Sequence, residues 1–312
     1  MAADKPGRAP SEQSAHAPPH LTPAEADSAP TWRAAYSDRT SALMAAFSEL
    51  AYLPFEEGAG GPPQPGQARA ERTGGRDELQ AALAAGGFDL RAVFNKDDTQ
   101  GYFAVRAGQF AVLAFRGTTD FSDWITNLQI GRVPLPERPD VRVHEGFLSA
   151  FRCCETEIRA AVDSIGPDLG LYITGHSLGG ALAQIASAVL ERDNLAACYT
   201  YGSPRVGQED FDRLVKCPHY RLVNNWDIVP GVPFPSPWGY RHTGDPRLLE
   251  PGRHPQEALR HDRDPFSRYL IDIWALVAGL ISRKFLVVDD HMIWNYRGQL
   301  EKIAAARRGM LR

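Results

Sequence analysis

Gly175-His176-Ser177-Leu178-Gly179 is the stretch from which the fold is predicted, because it matches the G-x-S-x-G pattern. Residues 170–174 before it are mostly apolar and predict a short buried strand. Residues 178–190 after it are rich in Ala, Leu and Ile and predict a helix. A strand, a sharp turn and a helix would place the Ser177 hydroxyl at the tip of the turn. Glycine at 175 and 179 fits this geometry, since a side chain at either position would clash in so tight a turn.

Strand and helix patterns alternate on both sides of this unit. They predict an α/β fold with a central, mostly parallel sheet and helices on both of its faces. The predicted helices are 38–52, 77–85, 147–165, 178–190, 208–216, 265–282 and 293–308, and the predicted strands are 88–94, 102–106, 110–115, 170–174, 196–201 and 219–223. No internal repeat divides the chain, so we expect a single domain over residues 31–312. The proline-containing residues 1–30 are expected to form a disordered leader.

The composition is that of a soluble globular protein, with 312 residues, 43% hydrophobic and 23% charged. A net charge of −4 without a Lys/Arg block argues against a nucleic-acid partner. The four cysteines form no CxxC pair, so free thiols are expected and a zinc site is not.

Two absences in the sequence bear on location. The first 30 residues contain no apolar signal-peptide core, which favours a cytoplasmic protein, although another route of export stays open. The most apolar stretch, 269–288, is interrupted by Asp272, Arg283 and Lys284. Its uninterrupted part is too short to span a bilayer, so no transmembrane segment is expected.

A serine hydroxyl needs a histidine base, and that histidine needs a carboxylate to hold its tautomer. After a nucleophile elbow the expected chain order is Ser, Asp, His. Asp227 suits the carboxylate role because it follows the predicted strand 219–223, and His291 suits the base because it follows the apolar run 285–288. The alternatives left open are Asp245 and Asp264 for the carboxylate, and His242, His254 and His261 for the base.

Ester or amide chemistry at a serine also needs donors for the developing oxyanion. One is normally the backbone N–H after the nucleophile, here that of Leu178. The loop Arg116-Gly117-Thr118-Thr119 follows an apolar strand and offers the N–H and hydroxyl of Thr118 as the other. An ordinary ST-turn is the alternative interpretation of this loop.

Six ordered blocks of this sequence resemble the class 3 lipases, the family of the filamentous-fungal triacylglycerol lipases. The blocks are Phe115 to Thr118, Val143 to Phe147, Ile173 to Gly180, Thr200 to Gly207, Asn224 to Pro230, and Asp290-His291 with Tyr296. The resemblance implies an α/β-hydrolase variant with antiparallel strands at one edge of the sheet. It also implies Ser177, Asp227 and His291 as the triad and Thr118 and Leu178 as the oxyanion donors. No metal or organic cofactor is expected.

The activity implied by the resemblance is hydrolysis of acyl esters of lipids, with transient contact with a lipid surface. A small-ester carboxylesterase, a phospholipase A1 and an acyltransferase are the alternatives, followed by a non-catalytic interaction protein of the same fold. An amphipathic lid is expected after the oxyanion block, with an ordinary packed helix as the alternative. Its apolar residues are Phe121, Trp124, Ile125 and Leu128.

The interval between Asp227 and His291 departs from the family by its length. Its apolar segment 269–282 is a buried core helix, a second cap over an acyl pocket, or a lipid-surface helix, and the sequence leaves these three open.

Overall fold

The computed structural model describes residues 19–53, 75–97, 99–118, 130–224, 227–235, 238–249, 259–261 and 288–310. Its helices are α1 (Pro23–Ser28), α2 (Asp38–Leu50), α3 (Gly75–Ala85), α4 (Glu145–Asp163), α5 (Leu178–Val189), α6 (Val288–His291) and α7 (Ile293–Met310). Its strands are β1 (Asp89–Lys96), β2 (Thr99–Arg106), β3 (Phe110–Phe115), β4 (Arg132–Leu135), β5 (Arg138–His144), β6 (Gly170–His176), β7 (Leu195–Tyr201), β8 (His219–Asn224), β9 (Asp245–Leu249) and β10 (Leu259–His261). Short 3-10 helices lie at Glu209–Leu214 and Val229–Gly231.

Eight of these strands form one sheet in the order β1-β2-β3-β6-β7-β8-β9-β10. Strands β3, β6, β7, β8 and β9 run parallel, and antiparallel pairs close both edges of the sheet. The predicted α/β class with a mostly parallel sheet and antiparallel edge strands is therefore confirmed. Because β3, β6, β7 and β8 are neighbours, the loops that leave their carboxyl ends lie side by side.

Apolar side chains cover both faces of the sheet. On one face α1, α2, α3 and α7 pack against it through residues such as Leu43, Phe47 and Leu300, all at most 2% exposed. On the other face α4 and α5 pack through Phe151, Ile158 and Leu182. This two-sided burial explains why the central strands are nearly continuous apolar runs.

The amino-terminal segment corrects one prediction. Residues 19–30 were expected to be disordered, yet α1 begins at a capping box in which Thr22 and Glu25 each satisfy the other's backbone N–H. Leu21 and Ala26 are buried in the core. The guanidinium of Arg297 on α7 also binds this segment, donating to the His20 carbonyl and the Glu25 carboxylate. These contacts order the segment, and its amino-acid composition does not reveal them.

Other differences concern short elements. The helix predicted at 208–216 is only the 3-10 turn Glu209–Leu214, and the Pro-rich region after residue 230 ends in β9, which pairs in parallel with β8. The hairpin β4–β5 was also not predicted. The segments 120–128 and 269–282 lie outside the described residues. Among the residues that are described, no helix has both the length and the apolar character needed to cross a bilayer.

Candidate active site

Ser177 sits at the elbow between β6 and α5 in a strained conformation, with φ 57° and ψ −127°. The backbone can turn this sharply because of the glycines around it. A Cβ on Gly175 would lie 2.1 Å from the Gly179 carbonyl oxygen, and one on Gly179 would lie 2.3 Å from the Phe115 carbonyl oxygen. Backbone strain of this kind costs about 1–3 kcal/mol and is concentrated at functional sites. The predicted strand–turn–helix unit is therefore present, with Ser177 at its tip.

Asp227 and His291 are in direct contact, with His291 Nδ1 2.8 Å from Asp227 Oδ2. Tyr296 donates its hydroxyl to the same oxygen at 2.6 Å, and the Val229 N–H donates to Oδ1 at 2.9 Å. The carboxylate is an acceptor, so His291 carries its proton on Nδ1. The Nε2 atom of the neutral ring then holds the lone pair that a general base requires.

The loop that carries His291 is held against the end of β8. Asn224 donates its side-chain amide to the Asp290 carbonyl at 2.9 Å, while its backbone N–H donates to the Tyr296 hydroxyl at 2.8 Å. On the other side of the carboxylate, Arg205 donates to the Gly231 and Pro233 carbonyls of the loop that follows Asp227. Both loops that meet at the Asp227–His291 contact are thus fixed by buried hydrogen bonds.

Gly202, at the end of β7, lies directly beneath this contact with φ 55°. A Cβ at this position would lie 2.4 Å from Asp227 Oδ2 and 2.9 Å from His291 Nδ1. Glycine is required here both by the backbone conformation and by the space that the two side chains occupy.

The predicted oxyanion loop approaches the elbow closely. A Cβ on Gly117 would lie 3.0 Å from Ser177 Cβ and 2.7 Å from the His176 carbonyl oxygen, so Thr118 follows a residue in contact with the nucleophile. Leu178 is the first residue of α5. Its N–H belongs to the first turn, where backbone donors have no partner within the helix. The roles of Thr118 and Leu178 as oxyanion donors stay predictions.

The alternative candidates lie apart from this contact. Asp245 on β9 forms an ion pair with Arg247, and His242 lies with Nε2 2.8 Å from the Pro230 carbonyl. His261 is on the edge strand β10. Asp264, His254 and the four lid residues fall outside the described residues. Within the described ranges no three His, Cys, Asp or Glu side chains are grouped to hold a metal ion, and the four cysteines are free thiols as predicted.

Two residues next to the triad were not predicted. Tyr52, just after α2, lies with its hydroxyl oxygen 2.6 Å from His176 Nδ1, and His176 Nε2 lies 2.5 Å from the His291 carbonyl oxygen. His176 is not the base, because its two ring nitrogens face Tyr52 and the His291 carbonyl rather than Ser177. Its ring nevertheless packs 4.4 Å, centroid to centroid, from that of His291. No local sequence pattern signals contacts across more than 100 residues.

Comparison with known proteins agrees with this geometry. Residues 112–236 match the family "Lipase (class 3)". Secreted mono- and diacylglycerol lipase 1 of Fusarium solani is 38% identical over 148 residues, covering 45% of this chain and 44% of the relative. Phospholipase A1-II 1 of Oryza sativa is 32% identical over 175 residues, covering 46% and 44%. The chain therefore spans less than half the length of these curated relatives.

Among solved structures, the native Rhizomucor miehei lipase propeptide complex superimposes with a TM-score of 0.52 at 26% identity, covering 61% of this chain and 66% of that one. Residues 112–236 thus match the class 3 lipase family, and the chain has the α/β-hydrolase fold of the lipase structures to which it is similar.

Proposed function

We propose that the protein is a serine hydrolase that cleaves acyl esters of lipids. The observation that carries the proposal is the buried Asp227–His291 contact beside a strained nucleophile elbow. Such an arrangement holds the histidine in the tautomer whose Nε2 can act as a base for the serine. The similarity to a mono- and diacylglycerol lipase supports an acylglycerol as the substrate class.

The reaction begins with His291 Nε2 taking the Ser177 proton while Ser177 Oγ attacks the ester carbonyl. Asp227, bound to Nδ1, stabilises the imidazolium that forms. The negative charge on the former carbonyl oxygen is stabilised by the Leu178 and Thr118 N–H groups, with the positive end of the α5 dipole behind them. The imidazolium then protonates the leaving alcohol. Water, activated by the same histidine, releases the fatty acid from the acyl-enzyme.

A phospholipid is the second candidate substrate, because a phospholipase A1 is among the relatives at a similar identity and coverage. The two substrates share the acyl ester and differ in the group on the third glycerol carbon. The chemistry at Ser177 is therefore the same for both, and the substrates must be distinguished by assay.

The test compares wild type with Ser177→Ala on p-nitrophenyl esters from C2 to C16, then on emulsified mono-, di- and triacylglycerol and on phosphatidylcholine. We expect wild type to cleave esters of C8 or longer and Ser177→Ala to lose all hydrolysis. The melting temperature of Ser177→Ala should be unchanged or raised, because only a buried hydroxyl is removed. Hydrolysis confined to C2–C4 would contradict the lipid substrate, and full activity in Ser177→Ala would refute the nucleophile.

A further inference from the structure

A chain of hydrogen bonds runs behind the triad and joins the oxyanion loop to the backbone of His291. It passes from Tyr52, whose hydroxyl lies against Gly117, through His176 to the His291 carbonyl. These residues lie on β3's exit loop, the end of α2, the elbow and α6. They share no sequence motif, and no step of the mechanism above uses Tyr52 or the His176 ring.

The direction of each bond follows from the chemistry of its ends. The His291 carbonyl is only an acceptor, so His176 carries its proton on Nε2 and donates it at 2.5 Å. His176 Nδ1 is then an acceptor, and the Tyr52 hydroxyl donates to it at 2.6 Å. The Tyr52 hydroxyl also lies against the oxyanion loop, since a Cβ on Gly117 would be 2.2 Å from the Tyr52 oxygen. The donors all point one way, which leaves a single arrangement of protons that satisfies the chain.

This arrangement requires a neutral His176. A second proton on Nδ1 would face the Tyr52 hydroxyl proton, and the imidazolium would lie 4.4 Å from the ring of His291. Burial, and after it the proximity of His291, lower the pKa of His176 well below its ordinary value, while the bond to the His291 carbonyl opposes this. Burial also raises the pKa of Tyr52, which keeps its donor proton. The ring next to the base therefore adds no positive charge when His291 becomes protonated.

We propose that Tyr52 and His176 are positioning residues, which fix the His291 main chain and the Gly117–Thr118 oxyanion loop in place relative to Ser177. The inference rests on the proposed ester hydrolysis. A shift of either loop would misalign the base or the oxyanion donors without altering the substrate-binding surface. The network should consequently act on kcat rather than on KM.

The experiment measures kcat and KM for His176→Phe, His176→Gln, Tyr52→Phe and the double variant Tyr52→Phe/His176→Phe on a C8 p-nitrophenyl ester. We expect His176→Phe to lower kcat by about tenfold or more and to change KM by less than about twofold. A tenfold loss of rate corresponds to the free energy of one hydrogen bond. His176→Gln keeps an N–H donor at the position of Nε2 and should recover most of kcat. The double variant should be no slower than the slower single variant, because both break one chain.

His219→Phe is the matched control. His219 is equally buried and lies between Thr200 and Thr243 at the opposite end of β8. This variant should lower the melting temperature yet keep kcat below that temperature. An equal loss of kcat in His219→Phe and His176→Phe would overturn the positioning role, as would multiplicative effects of Tyr52→Phe and His176→Phe.

Nitrogen-15 NMR of the wild-type imidazole rings tests the network without any variant that might fail to fold. We expect His176 to be neutral and protonated on Nε2 from pH 5 to 8; an Nδ1–H tautomer or a titration near pH 6.5 would refute the chain. Inactive wild-type protein would contradict the proposed function. Active wild type with unaffected Tyr52 and His176 variants would contradict the inference alone.

Discussion

Gly202→Ala should disable the site by inserting one methyl group between Asp227 and His291. The new Cβ would lie 2.4 Å from Asp227 Oδ2, whereas a carbon and an oxygen not bonded to each other ordinarily stay about 3.3 Å or more apart. The carboxylate must therefore retreat by about 1 Å. Its hydrogen bond to His291 Nδ1, now 2.8 Å, would lengthen beyond the range of a useful bond.

The expected loss in kcat can be bounded from both sides. Misplacing a catalytic group by about 1 Å costs on the order of 10²-fold, and replacing the triad aspartate by asparagine in a well-studied serine protease costs about 10⁴-fold. We expect Gly202→Ala to fall between these values. KM should change little, because Gly202 lies beneath the triad.

Gly108→Ala provides the control for backbone strain. Gly108 lies in the turn between β2 and β3 with φ 68°, close to the 55° of Gly202, and a Cβ there would meet nothing within 4 Å. In both variants an alanine in the left-handed region costs about 1 kcal/mol of stability, so both should have melting temperatures a few degrees below that of wild type. Only Gly202→Ala should lose activity. The kcat of both variants is measured by stopped-flow or steady-state ester hydrolysis below both melting temperatures. A kcat of Gly202→Ala within threefold of that of Gly108→Ala would refute the reasoning.

Three further predictions follow from neighbouring contacts. Asp227→Asn should lower kcat by about 10⁴-fold in steady-state assays, since an amide favours the wrong His291 tautomer; a mild loss would contradict Asp227 as the carboxylate that orients His291. Tyr296→Phe removes the hydroxyl that donates to Asp227 and should lower kcat about tenfold, which unchanged rates would contradict. Burial, followed by the charge of Arg221, lowers the pKa of His219 to about 3, so the unfolded chain binds the extra proton and stability falls as pH drops below 6.5. Urea unfolding should show about 2 kcal/mol less stability at pH 5 than at pH 7 from this group, and His219→Gln should remove that difference.

The central sheet was predictable because its strands carry strong local signals. Strands β3, β6, β7 and β8 are buried on both faces, the first three as largely apolar runs, and each is followed by a loop with a recognisable polar or glycine-rich motif. Asp227 was predicted for the same reason, because it follows β8, whereas His291 was predicted because it follows the apolar run 285–288 in the sequence.

The missed features depend on tertiary contacts. β9 contains Pro246 and is only partly buried, so its pairing with β8 is what makes it a strand. The expected disorder does not hold for residues 19–30, because composition alone does not show that Arg297 binds residues 20 and 25 from the far end of the chain. The role of Tyr52 was hidden in the same way, since its partner His176 is 124 residues distant.

Helix α7 has a consequence for how the protein loses activity. The segment 288–310 supplies His291 and Tyr296 to the site but contributes no strand to the sheet, and it is held by packing on α2 and by the Arg297–Glu49 ion pair at 2.8 Å. Because it lies outside the sheet, we expect this segment to open locally at a lower free energy than the sheet. Amides of α7 should therefore exchange with deuterium before those of β6 and β7. On mild heating, turnover should be lost at a lower temperature than most of the far-ultraviolet circular dichroism.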